Sequence, residues 1–304
     1  AERIPGERAA VTEDLYRRST LLPLFELFGG KKLINDSKLS SFHRRIVGNA
    51  RATYVCPDCL RDDHRDFGTP YLHRSHQLPS STCCWKHGTP LIDRCPDCRC
   101  PIEPPIGLIL APWKGCHCGL QYHQLETGPS AASEAEQMLA RFGHGVLHCP
   151  PDVLGLPYFV EAYRNRAKAL GFSWGRNVNR KKLMAAIEAT FGKTLLATID
   201  WSYRKGQVVS WLHVFDMPSA MEASVSRHLI LGAFLYEDAD VLVGDLRKLA
   251  SERQKQGKAV SAQAKPAQVG DAPSMRKFDP ETMLDRVVRV AREQYKPGWM
   301  LGVT

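Results

Sequence analysis

Apolar positions recur at helical spacing in several stretches of this chain, and one long region between them has no such period. Leu21–Phe28 is almost wholly apolar and runs into Gly29-Gly30, a helix stop. Ser133 reads as an N-cap for a helix that the pattern closes at Gly143. Over Tyr158–Leu170, Phe159, Ala162, Tyr163 and Leu170 follow helical spacing up to Gly171, and a loop with Trp174 comes next. Asn179 is placed to cap Arg180–Phe191, whose Leu183, Ile187 and Phe191 share one face before Gly192. Met217–Tyr236 predicts a core helix, because Leu229–Leu235 is apolar nearly all round, and Asp238–Lys255 predicts a charged one. Ser261–Ser274 has the composition of a linker, and Pro280–Tyr295 is an amphipathic helix whose Met283, Leu284, Val287 and Val288 require a partner.

The region without a period is rich in Pro, Gly and turn residues and has only short apolar runs such as Ile106–Leu110. It also holds the closely spaced pairs Cys56/Cys59, Cys84/His87, Cys95/Cys98 and Cys116/Cys118, a metal-ligand pattern, so the expected division is a helical segment over 1–50, a tandem zinc-binding ribbon over 51–125 and a helical domain over 130–256. A linker over 257–278 and the start of a further helical segment over 279–304 complete it. The fold class expected is mainly α, with a small zinc-ribbon insertion followed by a helix-turn-helix-like domain.

Zinc is expected because of the cysteines. All ten lie between Cys56 and Cys149, in a chain of 304 residues that carries no apolar core of a signal peptide. A disulfide scaffold is usually short and secreted, so clustered pairs here point to metal ligation, with a redox dithiol as the alternative. Cys56-Pro57-Asp58-Cys59 and Cys84-Trp85-Lys86-His87 are assigned to one site; Cys95-Pro96-Asp97-Cys98 and Cys116-His117-Cys118 to a second. Two tight turns can each aim a ligand pair at one ion about 2.3 Å away, and four protein ligands leave no open position, so both Zn2+ ions would be structural. An interleaved pairing is the alternative, disfavoured by the short reach from His87 to Cys95. Cys83 and Cys100 adjoin ligands and could substitute for them; Cys149, near His144 and His148, is a weaker candidate for a third site. With so little core, the region would draw much of its folding free energy from zinc.

The net charge of +9 favours an anionic partner, nucleic acid first. The helix over Tyr158–Leu170, the loop and the second helix opening Asn179-Arg180-Lys181-Lys182 are compatible with a helix-turn-helix, whose second helix enters the major groove by its N-terminal end. The turn is longer than usual, and a solvated helix in a plain bundle gives the same pattern. The chain has no Walker A, GxSxG or HExxH motif, and its carboxylates are scattered, so an enzyme is not expected. No run of eighteen apolar residues predicts a membrane span.

Three segments carry a resemblance: Tyr54–Cys59, Phe67–Pro79 and Cys84–Leu91. Their CPxC, the Arg74-Ser75-His76 stretch and CxxHG with its following Leu are similar to the TniQ/TnsD family of transposon target-site selectors. Leu21–Phe25 and the stretch from Pro218 through Arg227-His228-Leu229 to Phe234-Leu235 resemble further family segments more loosely. The family's opening Pro-Tyr…Glu…Ser…Arg helical segment is not found. The resemblance implies a non-catalytic, cytoplasmic and nucleoid-associated bacterial protein that binds double-stranded DNA at an attachment site. It further implies recruitment of an AAA+ ATPase regulator, which brings the transposase. Shorter members instead join an RNA-guided CRISPR effector complex, and the length after the zinc region favours direct reading. Candidate DNA contacts are Arg74, Arg176, Asn179, Arg180, Lys181 and Lys182, with bracing of the ribbon as the competing role for Arg74. An enzyme using an open zinc position and a zinc-stabilised interaction scaffold are the rival classes.

Overall fold

In a computed structural model of the chain, residues 17–29, 53–102, 115–126, 132–206, 212–215 and 224–263 are described. The amphipathic patterns largely become the expected helices, and the architecture is mainly helical with little strand. Helix α1 spans Leu22–Gly29 and begins where Thr20 Oγ1 accepts the Leu22 N–H at 3.1 Å. Its Glu26 is fully buried and is neutralised by Arg17 Nη1 at 2.8 Å. Helix α2 spans Pro57–Phe67, with Pro57 in its first turn and Gly68 closing it in the left-handed region (φ 72°). The CxxC at Cys56–Cys59 therefore opens a helix; it does not form the turn that the spacing suggested.

Helix α3, Glu134–Leu147, starts with a capping box in which Ser133 and Glu136 satisfy each other's backbone N–H groups. It does not stop at Gly143. A Cβ at Gly143 would lie 2.8 Å from Leu78 Cδ1, and one at Gly145 2.7 Å from Ala239 Cβ. These glycines serve close packing within the helix, and their neighbours outweigh the roughly 1 kcal/mol propensity cost. Helix α4 (Phe159–Ala169) leads through strands β1 (Ser173–Trp174) and β2 (Asn177–Val178) into α5 (Arg180–Phe191), capped as expected by Asn179. The Trp174 loop is thus a two-residue antiparallel hairpin. Two short helices that the pattern missed follow, α6 (Lys193–Ile199) and α7 (Trp201–Arg204).

Helix α8, Val225–Tyr236, is the buried axis of the helical core, packed by α1, α3, α4 and α5. Close approach is set by Gly232, where a Cβ would fall 2.5 Å from Phe142 Cζ. Tyr163 Oη donates to the His228 carbonyl at 3.1 Å, and the His228 ring stacks on Phe28 at 4.8 Å. Helix α9, Ala239–Gln263, runs past the expected start of the linker. The rest of that linker, Pro280–Tyr295, Ile106–Leu110 and most of 1–50 lie outside the described residues. Helix α1 packs inside the core formed by α3 to α9. Each large side chain so buried contributes about 1.5–3 kcal/mol.

One polar knot ties α7 to α8. Asp200 is 4% exposed and accepts from the Tyr203 N–H at 2.8 Å, Arg227 Nε at 2.9 Å and Ser224 Oγ at 3.2 Å. Burial alone would raise its pKa, but the Arg227 bond and the Tyr203 N–H outweigh it, and the carboxyl titrates below its ordinary range. The stabilisation is therefore present above about pH 3.9, the unfolded value, and is lost as pH falls through the lower folded value. Asp200→Asn should cost about 3–5 kcal/mol at pH 7, with the gap to wild type narrowing below pH 4. Urea unfolding at several pH values measures both.

Candidate metal centres and nucleic-acid surface

Residues 53–102 and 115–126 share a small core of Val55, Leu60, Ile102 and Tyr122, with the cysteine sulfurs packed among and beside them. Isolated antiparallel bridges join Val55 to Ile92, Cys83 to Pro90 and Arg94 to Pro101. Three ligand turns close on the carbonyl of their first cysteine, the third one residue tighter than the other two. Cys84 O accepts from Gly88 N, Cys95 O from Arg99 N, and Cys116 O from Gly119 N, each at 2.9–3.0 Å. The closing residue has positive φ in every case: 68° at Gly88, 61° at Arg99 and 97° at Gly119. Glycine meets that demand freely, whereas Arg99 carries strain of roughly 1 kcal/mol.

The turns bring together the two sets read from spacing. In the first, Cys59 Sγ lies 3.5 Å from Cys84 Sγ, and His87 Nδ1 lies 3.6, 3.4 and 3.7 Å from the sulfurs of Cys56, Cys59 and Cys84. A zinc tetrahedron with Zn–S of about 2.3 Å and Zn–N of about 2.0 Å has edges of roughly 3.5–3.8 Å, so the cage fits that ion. In the second, Cys95 and Cys118 are 3.6 Å apart and Cys98 and Cys116 3.3 Å. All ligand atoms of each set lie within 4.8 Å of one another. Both groups are compatible with zinc.

Crowding sets the thiols against one another. Hydrogen bonds from Cys56 and then Cys59 push Cys84 far down, while Cys59 is pushed up by its contacts with Cys56 and Cys84 and by burial. A divalent cation among these sulfurs would favour all three as thiolates. In the second set Cys116 is lowered to about 6, chiefly by the Cys118 backbone N–H.

Supporting groups surround the first set. His87 Nε2 meets Asp62 Oδ2 at 3.1 Å, and Asp62 also accepts from Lys86 Nζ at 2.5 Å. This carboxylate–imidazole link orients the ring so that Nδ1 faces the sulfurs. His76, buried, places Nε2 3.8 Å from Cys59 Sγ, and His73 Nε2 lies 2.9 Å from Asp63 Oδ2. Spacing analysis passed over these four residues, although Asp62 and Asp63 stand three and four positions after Cys59, one helical turn on. Cys100 and His117 pair at 3.6 Å beside the second set, and together with Cys98 they form a looser three-ligand group. Cys149, His144 and His148 form no convergent group among the described residues. His144 instead stacks on Trp85 at 3.5 Å, its pKa lowered to about 4 chiefly by burial.

The candidate DNA contacts fall in two places. Arg74 occupies the seam between the two units, where it donates to the Arg17, Thr20 and Leu147 carbonyls. The other five cluster where the hairpin enters α5. Arg176 and Lys181 are exposed. Asn179 Oδ1 accepts the Lys182 N–H at 3.0 Å, and Lys182 Nζ donates to the Gly171 carbonyl at 3.1 Å and lies over the Phe172 ring. Arg180 begins the helix beside them.

The cages predict a specific loss. Cys56→Ser or Cys95→Ser should each remove one equivalent of zinc, measured by elemental analysis against an expected two per chain, and locally unfold its module. Asp62→Asn should keep the stoichiometry while lowering zinc affinity about 10- to 100-fold in chelator competition.

Residues 6–91 match the TniQ family model. The match runs from a start upstream of α1 to Leu91, just past the first ligand set, so it takes in an opening segment that motif inspection did not recognise. No curated protein matches the chain. Among the described residues no helix is long and apolar enough to cross a membrane. The chain thus carries a TniQ domain over residues 6–91, and that domain implies a transposition-associated protein.

Proposed function

We propose that this protein is a TnsD-like target selector: it binds double-stranded DNA at a particular site and recruits an AAA+ ATPase regulator of the transposase, without catalytic chemistry of its own. The carrying observation is the basic start of α5, displayed on a core that also holds the zinc module. Lys181 and Arg176 stand in solvent beside a capped helix end whose partial positive charge adds to theirs. Such an end suits phosphates, and the side chains of the first helical turn suit base edges in the major groove. Zinc serves the frame, because four protein ligands in each cage leave no position for substrate. The seam role of Arg74 is structural, so the binding surface is built from Arg176, Asn179, Arg180, Lys181 and Lys182. The reading places the protein in the bacterial cytoplasm, at the nucleoid.

Selection of bound fragments from a genomic library, at low and physiological salt, tests the proposal. Enrichment of one site that survives physiological salt is expected. Uniform binding that vanishes with salt would instead indicate an adaptor on an RNA-guided complex. Lys181→Ala should lower the slope of log affinity against log salt by about 0.9, and Lys181→Ala with Lys182→Ala by up to about 1.8, if each meets a phosphate.

A further inference from the structure

The hairpin before α5 presents the most exposed of the large hydrophobic side chains among the described residues, Trp174, at 73%. Its register makes this exposure obligatory. Ser173 pairs with Val178 and Trp174 with Asn177. Val178 is buried in the helical core, so the alternating faces of the ribbon turn Trp174 and Asn177 away from it. Gly175, at φ 56°, supplies the left-handed first position of a two-residue turn, and Arg176 takes the second. No ring, hydrogen bond or ion pair among the described residues engages the indole. An indole left in water forgoes a burial worth a few kcal/mol, and folding gives no reason for it.

The surrounding charge indicates what the ring meets. Between Glu161 and Glu188 the sequence has no acidic residue and seven basic ones: Arg164, Arg166, Lys168, Arg176, Arg180, Lys181 and Lys182. Arg164 and Arg166 are tied to the Phe215 and Leu235 carbonyls. The others surround the hairpin and the start of α5. A protein pocket for Trp174 would have to tolerate that cationic rim, whereas nucleic acid offers phosphates for the rim and base faces for the ring. The tip stands roughly 10 Å from the first turn of α5, at about 3.3 Å per extended residue. With α5 in a major groove about 12 Å wide, the tip reaches the groove's edge.

We infer that Trp174 is a base-stacking residue: the hairpin tip inserts the indole against a base at an opened step of duplex DNA, while Arg176 holds the adjacent phosphate. The inference rests on the DNA-binding reading above and adds to it recognition of DNA deformability. A flexible or unpaired step costs less to open, so it is favoured without any hydrogen-bond readout there.

The test uses the full chain and two 30-base-pair duplexes of one sequence, one fully paired and one with a single mismatch beside a 2-aminopurine. Wild type should prefer the mismatched duplex and change the 2-aminopurine emission on binding. Trp174→Ala should bind it about 5- to 150-fold more weakly, the range reported for base–aromatic stacking, with an unchanged salt slope and unchanged thermal stability. Trp174→Phe should retain most of the preference. Arg176→Ala should lower the salt slope by about 0.9 and keep the preference. If Trp174→Ala binds both duplexes as wild type does, the inference fails and the DNA-binding reading stands. If wild type shows no salt-dependent binding to either duplex, the DNA-binding reading fails and this inference fails with it.

Discussion

Sulfur crowded against sulfur is the constraint on which residues 53–102 and 115–126 depend. Cys59 and Cys84 stand 3.5 Å apart, and Cys98 and Cys116 3.3 Å, distances at which thiolates repel and thiols gain little. The apolar core beneath them, chiefly Val55, Leu60, Ile102 and Tyr122, is far too small to impose that approach. Zinc ligation, as proposed, would supply what the core lacks. Structural zinc contributes about 10–16 kcal/mol in small zinc-binding peptides at neutral pH, enough to order loops with little other secondary structure. Local features are arranged to receive it: a helix begins at Cys56, three turns close in the left-handed region, and Asp62 fixes the imidazole of His87.

The order so created reaches the helical core through one element. Helix α3 meets the zinc module along its length: Glu136 accepts from Thr82 Oγ1 at 2.9 Å, Gly143 admits Leu78, His144 stacks on Trp85, and the Leu147 carbonyl accepts from Arg74. Its other side packs on α1, α8 and α9. Arg74 also gathers the carbonyls of Arg17 and Thr20, so the lead into α1 is fixed by the same guanidinium. The proposed base-reading surface would benefit from this continuity. Side chains that discriminate base edges must be held to a fraction of an ångström, and α5 is held by a core whose neighbour a metal ion would pin.

The sequence disclosed these features unequally, for physical reasons. The two ligand sets were legible because thiolate and imidazole ligation fixes chemistry and spacing together. The Asn179 cap and the α5 face were legible because capping and periodicity are local. Gly143 misled because a glycine that ends a helix and one that admits Leu78 look alike until the partner is known. The turn assigned to Cys56–Cys59 is a helix start, since CPxC satisfies either geometry and only Leu60 and Asp63, buried on α2, decide between them. His76 was unreadable for a related reason: its closeness to Cys59 is made by tertiary packing.

Arg99 and Trp174 each break a local rule, and the contrast between them separates structure from function. Arg99 adopts a left-handed backbone that glycine would adopt at no cost. The strain has an internal explanation, because closing the Cys95 turn brings two sulfurs together, and the gain from ligation there would exceed the cost. Trp174 has no such internal account. Its exposure follows from hairpin register, yet a polar residue would satisfy that register equally well, and no contact among the described residues compensates for an indole in water. A local rule broken for the sake of the fold is repaid within the fold, as at Arg99. One left unbalanced, in a stretch of chain without a carboxylate, is balanced by something outside it, and the chemistry of that stretch favours a polyanion with aromatic faces.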